Sequence, residues 1–132
     1  GLQRVPRSLM EQAVLTTCSL HGCSEASVSI VLMNDKSIRK INKEFLSHDY
    51  ATDVITFSLD EEKVDGEMYI STETAARQSK EYNVSHTNEI IRLVIHGVLH
   101  LLGFDDSSDE LRERMHEEEN RVLRELQRKN KK

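Results

Sequence analysis

One stretch constrains this chain more than any other: residues 90–106, IIRLVIHGVLHLLGFDD. Nine of its first thirteen residues are large and aliphatic, and only Arg92, His96, Gly97 and His100 interrupt them. A helix that is apolar on every side belongs inside a domain, not on its surface. His96 and His100 stand four residues apart, which puts both on one helix face, one turn apart. Gly103 is placed to end the helix, and Phe104-Asp105-Asp106 then turns the chain away.

Two imidazoles on a buried face pose a problem, because a buried ring nitrogen without a partner costs free energy. A divalent cation solves it by taking one nitrogen from each ring. Zinc accepts imidazole nitrogen and carboxylate oxygen, and catalytic sites typically offer three protein ligands and keep one position for water. Asp105 or Asp106 is in place to supply the third ligand. HxxxH spacing alone is a weak signal; the apolar context strengthens it. Gly97 leaves space beside the histidines, for substrate or for close helix packing. It also stands where zinc peptidases of the HExxH type carry their general base, which counts against that chemistry.

The flanking sequence predicts an α+β arrangement. Pro6 suits a first helical residue, Leu9, Ala13, Thr16 and Leu20 follow at helical spacing, and Gly22 closes that helix. Residues 27–33 alternate Val28, Ile30 and Leu32 against small or polar neighbours, as a strand with one buried face does. Asn34 is a candidate cap for a helix marked by Ile38, Ile41 and Phe45. Residues 53–59 and 67–71 read as strands, joined through the acidic segment 60–65 and an Asp65-Gly66 turn, hence antiparallel. Ser71 or Thr72 caps the next helix, Asn83 ends it, and Ser85 or Thr87 starts the central one. Ser107 with Glu110 fits a capping box for a last, charged helix with a stripe of Leu111, Met115, Val122 and Leu126, followed by a fraying basic tail, Arg128 to Lys132. Residues 1–132 thus read as one domain: a small mixed sheet of about three or four strands with about five helices around the central apolar helix.

Composition narrows the function. A net charge of −5 makes the chain an unobvious nucleic-acid binder, although a local basic groove is compatible with it. No run approaches the roughly 18 apolar residues of a membrane span, so no membrane partner is expected. The start, GLQRVPRSL, lacks the long apolar segment of a signal peptide, and Gly1 in place of Met fits a trimmed or tagged terminus. Cys18 and Cys23 are expected as free thiols in a reducing cytosol; no paired CxxC spacing supports a metal site from Cys18, His21 and Cys23.

HGVLHLLGFDD resembles the signature of the YbeY family of bacterial rRNA maturation factors, usually HGxLHLxGYDH. The resemblance extends to INKEFLSHDYATDVITFSL, to DGEMYIST and to RERMHEEENRVL, in order, over residues 28–123. It implies a cytoplasmic, metal-dependent endoribonuclease that acts on single-stranded rRNA, in 3′-end processing of the small-subunit rRNA and in ribosome quality control. It also implies contact with the small ribosomal subunit or its proteins. One Zn2+ would be held by His96, His100 and Asp106. Three positions depart from the pattern. Asp106 stands where the family has a third His, which predicts a less acidic metal-bound water and some tolerance of harder metals. Leu46 stands where the family has Arg, so Arg39, Lys43 or Arg92 would have to contact phosphate in its place. Glu67 replaces the Asp of a Gly-Asp pair and is the one candidate the resemblance offers for a catalytic base, against the plainer reading of a solvated strand-end carboxylate. Asp53 is a candidate to orient a ligand His, whereas His48, His86 and His116 read as surface residues. The rival readings are a metal-dependent hydrolase of another bond, such as a metallopeptidase, and a ribosome-associated binding protein with weak catalysis.

Overall fold

Side-chain caps set where most helices begin. The computed structural model describes residues 5–130, with helices Arg7–Leu20 (α1), Asp35–Leu46 (α2), Thr72–Glu81 (α3), His86–Leu101 (α4) and Asp109–Lys129 (α5). Asn34 accepts the Ser37 N–H at 2.8 Å, Ser71 that of Thr74 at 3.1 Å, and Ser85 that of Asn88 at 3.0 Å. Each satisfies one of the orphan donors of a first turn. Two boundaries differ from expectation. Pro6 precedes α1 as its cap, with an extended ψ of 134°, and is not its first residue. Ser108, not Ser107, caps α5, accepting the Leu111 N–H at 3.1 Å. Ser107 is held instead by Asp105, through its N–H at 3.0 Å and its hydroxyl at 2.7 Å, which delays the helix by one residue. Arg128 and Lys129 are helical rather than frayed; Lys131 and Lys132 lie outside the described residues.

Three strands, Ala26–Met33 (β1), Val54–Ser58 (β2) and Val64–Ser71 (β3), form a mixed sheet in the order β1-β3-β2. β1 runs parallel to β3 from Ala26 opposite Val64, and β2 runs antiparallel to it with Thr56 opposite Met68. Asp65-Gly66 is not the turn. It lies inside β3, and the reversal is made by Asp60, whose carboxylate accepts the N–H groups of Glu62 and Lys63. As an edge strand β1 is only half buried; Leu32 remains 37% exposed.

β3 turns Val64, Gly66, Met68 and Ile70 to the interior and leaves Glu67 and Tyr69 on the opposite face. α4 packs on the interior face and also touches α1, α3, α5 and β2. Its Ile90, Val94, Ile95, Val98 and Leu99 are wholly buried, each stabilising the fold by about 1.5–3 kcal/mol. Two glycines let helix and sheet approach. A Cβ on Gly97 would lie 2.3 Å from Met68 Cε, and one on Gly66 would lie 2.5 Å from the Phe57 carbonyl oxygen and 2.7 Å from Leu101 Cδ2. Of the two uses open to Gly97, close packing is the one realised. The α2 stripe differs from expectation: Ile38 and Asn42 are buried, while Phe45 is 62% exposed and meets Phe57 edge-on.

Candidate metal centre

The end of α4 brings an acidic residue back to the histidines. The Phe104 N–H bonds the Leu99 carbonyl at 2.9 Å and the Gly103 N–H bonds that of His100 at 3.0 Å. These two bonds make a Schellman closure, which requires a left-handed residue; Gly103 supplies it at φ 101°. The two aspartates that follow have different duties. Asp105 spends both oxygens on Ser107, whose hydrogen bonds outweigh desolvation and hold its pKa below the usual carboxylate range. Asp106 Oδ2 faces the rings, 3.5 Å from His96 Nε2 and 3.6 Å from His100 Nε2. The two Nε2 atoms are 3.2 Å apart. Four-coordinate zinc with bonds of about 2.0–2.1 Å places its ligand atoms roughly 3.3–3.4 Å from one another. The observed triangle therefore fits a tetrahedral ion.

Among the described residues this is the group of His, Cys, Asp and Glu side chains arranged to hold a metal, and it has three members. Among the described residues no fourth side chain closes it. The side chains are part exposed, at 23%, 32% and 41% for His96, His100 and Asp106. A structural zinc site is normally closed by four protein ligands, whereas a catalytic one keeps a position open.

Glu119 of α5 orients the first histidine. Its Oε2 accepts from His96 Nδ1 at 2.6 Å, which directs Nε2 toward Asp106 and His100. Its Oε1 accepts from Arg92 at 2.9 Å, and Arg92 also donates to Asn120 at 2.7 Å. Burial disfavours a charge on His96, but the bonded Glu119 carboxylate, with Asp106 and Asp53 nearby, outweighs it and raises the pKa above 6.5. From the sequence alone Glu119 is one more charge on a solvated helix. The signal was its register: Met115, Glu119, Val122 and Leu126 are the buried residues of α5, so a carboxylate stood on the core stripe facing a helix that carries Arg92. Asp53, expected to orient a histidine, instead accepts from the Val54 N–H at 2.7 Å and from Gln78 at 3.3 Å, beside the site.

Two clefts reach the cluster. One of about 460 Å³ contains His96, His100, Asp106, Asp53, Leu46 and Tyr50 in its wall. The other, of about 1060 Å³, shares His96, Asp106 and Asp53 and runs past Arg92, Glu119 and Glu89. Glu89 is 3% exposed, and burial pushes its pKa up to about 7, with Arg92 opposing and Asp53 and Glu119 adding to the rise. The remaining predicted residues are not gathered here. Glu67 accepts from the Tyr69 hydroxyl at 2.8 Å on the sheet face turned away from α4. Arg39 is paired with Asp49 at 2.8 Å, Lys43 is exposed on α2, and neither contributes to the walls of these clefts. Arg92 reaches the larger cleft but is committed to Glu119 and Asn120. His116 is exposed as expected, while His86 is half-buried with an unpartnered Nδ1. Cys18 and Cys23 are free, and burial, followed by the neighbouring Cys23, pushes Cys18 up to about 12. His21 spends its ring nitrogens on the Thr17 carbonyl and Glu118, both at 2.7 Å.

Residues 3–127 match the family described as Endoribonuclease YbeY. A protein named Endoribonuclease YbeY from Chloroherpeton thalassium is 41% identical over 122 residues, covering 92% of this chain and 86% of the relative. One of the same name from Chlorobium phaeovibrioides is 39% identical over 121 residues, covering 91% and 82%. The solution structure of TM1509 from Thermotoga maritima superposes with a TM-score of 0.65 at 26% identity, covering 98% of this chain and 91% of that one.

Proposed function

This chain belongs to the YbeY endoribonuclease family, and from that premise we propose that it is a zinc-dependent single-strand endoribonuclease of rRNA maturation. The substrate would be single-stranded rRNA near the 3′ end of the small-subunit rRNA, with a part in ribosome quality control. The small ribosomal subunit or its proteins would be the partner, and the cytoplasm the location. No helix among the described residues is long and apolar enough to cross a membrane. Residues 1–132 would act as one catalytic domain.

The observation that carries this reading is the convergence of His96 Nε2, His100 Nε2 and Asp106 Oδ2 at 3.2–3.6 Å, with no fourth such side chain among the described residues. These three residues would hold one Zn2+, which supplies Lewis acidity toward a phosphate oxygen and lowers the pKa of a water. The chain's own part is to hold that set open toward two clefts. Donation from Nδ1 to Glu119 would hold His96 ready as an Nε2 ligand, and the glycine closure of α4 would present Asp106. Asp106 in place of a third imidazole lowers the net charge of the site, which favours a less acidic water and tolerance of harder divalent ions. Arg39, Lys43 and Arg92 remain the candidates for RNA phosphate contact, Arg92 the nearest to the site. Glu67 is poorly placed for a base, and the position of the HExxH glutamate is taken by Gly97, packed on Met68.

The test compares cleavage of single-stranded rRNA fragments and of an unstructured peptide, with and without chelator. Metal-dependent cutting of RNA alone is expected; metal-dependent cutting of the peptide alone would refute the assignment. Elemental analysis of His100→Ala should show loss of stoichiometric metal, and parent-like metal content would rule out the ligand set.

A further inference from the structure

The loop after α2 is held by backbone and side-chain hydrogen bonds and leaves two rings in the wall of the smaller cleft. The His48 N–H bonds the Asn42 carbonyl at 3.1 Å, and the buried Asn42 side chain donates to the Tyr50 carbonyl at 3.0 Å. Arg39 holds Asp49 between them at 2.8 Å. The rings themselves face out. His48 is exposed and Tyr50 is 55% exposed, and they stack on each other at 5.4 Å between centroids and 12° between planes. Both form part of the wall of the cleft of about 460 Å³ that contains His96, His100 and Asp106. The loop thus presents an open, preformed aromatic face beside the metal centre, at low cost in ordering.

We propose that the His48–Tyr50 stack is a nucleobase subsite, which takes an unpaired base of single-stranded RNA adjacent to the phosphate at the metal centre. It rests on the endoribonuclease reading and adds where the substrate lies. Proteins that bind single strands stack bases on exposed aromatic rings, and each such base contributes substantially to affinity whatever its identity. A base inside a duplex has both faces covered by its neighbours, so this platform selects single strands without reading sequence. It also supplies what the missing cation does not. Leu46, 44% exposed, stands in the same cleft wall where the family pattern has Arg. Holding the strand therefore depends more on stacking than on charge here. A base analogue quenched at one position and an abasic penalty separate this from an apolar peptide on exposed Leu46, which would produce neither.

The experiment uses the metal-loaded full chain and short single-stranded RNAs that cover the cut position, carrying 2-aminopurine or an abasic nucleotide at successive sites. Tyr50→Ala should raise KM by about 5- to 150-fold, with kcat changed less and metal content kept, while Tyr50→Phe stays near the parent. Quenching of 2-aminopurine at one position next to the cut should occur in the parent and in Tyr50→Phe and vanish in Tyr50→Ala. An abasic nucleotide at that position should cost the unaltered enzyme a similar factor, a readout independent of how any variant folds. Parent-like KM and quenching in Tyr50→Ala, or an abasic site without penalty, overturns the subsite while cleavage stands. A parent chain that cuts no RNA in the presence of metal overturns both the subsite and the endoribonuclease reading.

Discussion

Glu119 is the residue whose replacement tests the site most directly. It sits on α5, is 8% exposed at its side chain, and holds His96 Nδ1 at 2.6 Å with one oxygen and Arg92 at 2.9 Å with the other. Replacing it by Gln keeps the shape and an acceptor but removes the charge, and a charge-assisted hydrogen bond is about twice as strong as a neutral one. Replacing it by Ala leaves the His96 N–H and one arm of Arg92 without acceptors, a penalty of about 1–3 kcal/mol. Loss of a carboxylate that orients a metal-bound imidazole typically lowers metal affinity 10- to 100-fold, or about 1.4–2.8 kcal/mol. Glu119→Gln should fall near the lower figure and Glu119→Ala near the upper. Protons complicate the measurement in a known direction. The Glu119 contact raises the His96 pKa, so a proton competes with metal at higher pH in the parent than in Glu119→Gln. Titration against a chromophoric zinc chelator at one alkaline pH, where proton competition at His96 is weakest, reads chiefly the loss of ligand basicity. Folded variants that bind zinc as tightly as the parent at that pH would refute the orienting role.

Glu89 gives a pH dependence of stability in the metal-free protein. Its pKa is raised from 4.5 to about 7, chiefly by burial, so the native state binds the extra proton and its contribution is lost as pH rises through about 7. Glu89→Gln should therefore match the parent near pH 4.5 and exceed it in chemical denaturation above pH 7 by at most about 3 kcal/mol; a constant difference across pH would refute the buried acid. Gly66→Ala should destabilise by about 1–3 kcal/mol, the cost of overpacking, because its Cβ meets the Phe57 carbonyl oxygen at 2.5 Å and backbone cannot yield as a side chain does. A melting temperature equal to the parent's would contradict that close approach.

Local signals carried much of the architecture. Asn34, Ser71, Ser85, Asn83 and Gly103 fixed element ends through short-range hydrogen bonds and backbone conformation, and such chemistry is legible from neighbours alone. Errors arose where tertiary context competed with a local rule. Asp65-Gly66 has turn composition, yet Gly66 serves the approach of Leu101 to β3. Phe45 has core chemistry at helical spacing, yet it lies on the outer face of α2 while polar Asn42 is buried to hold a loop.

The sequence by itself determined that an apolar helix must be central, that His96 and His100 share a face, and that an aspartate follows a glycine closure. Helical periodicity and glycine stereochemistry are properties of adjacent residues. Only the tertiary structure decided between Asp105 and Asp106, because one spends its oxygens on Ser107 and the other on nothing local. It alone brought Glu119 to His96 across 23 residues of sequence, and set His48 and Tyr50 in the wall of a cleft that His96, His100 and Asp106 also line. Those relations depend on how α5 and the loop after α2 pack around α4, and packing at long range leaves no periodic trace in a single sequence.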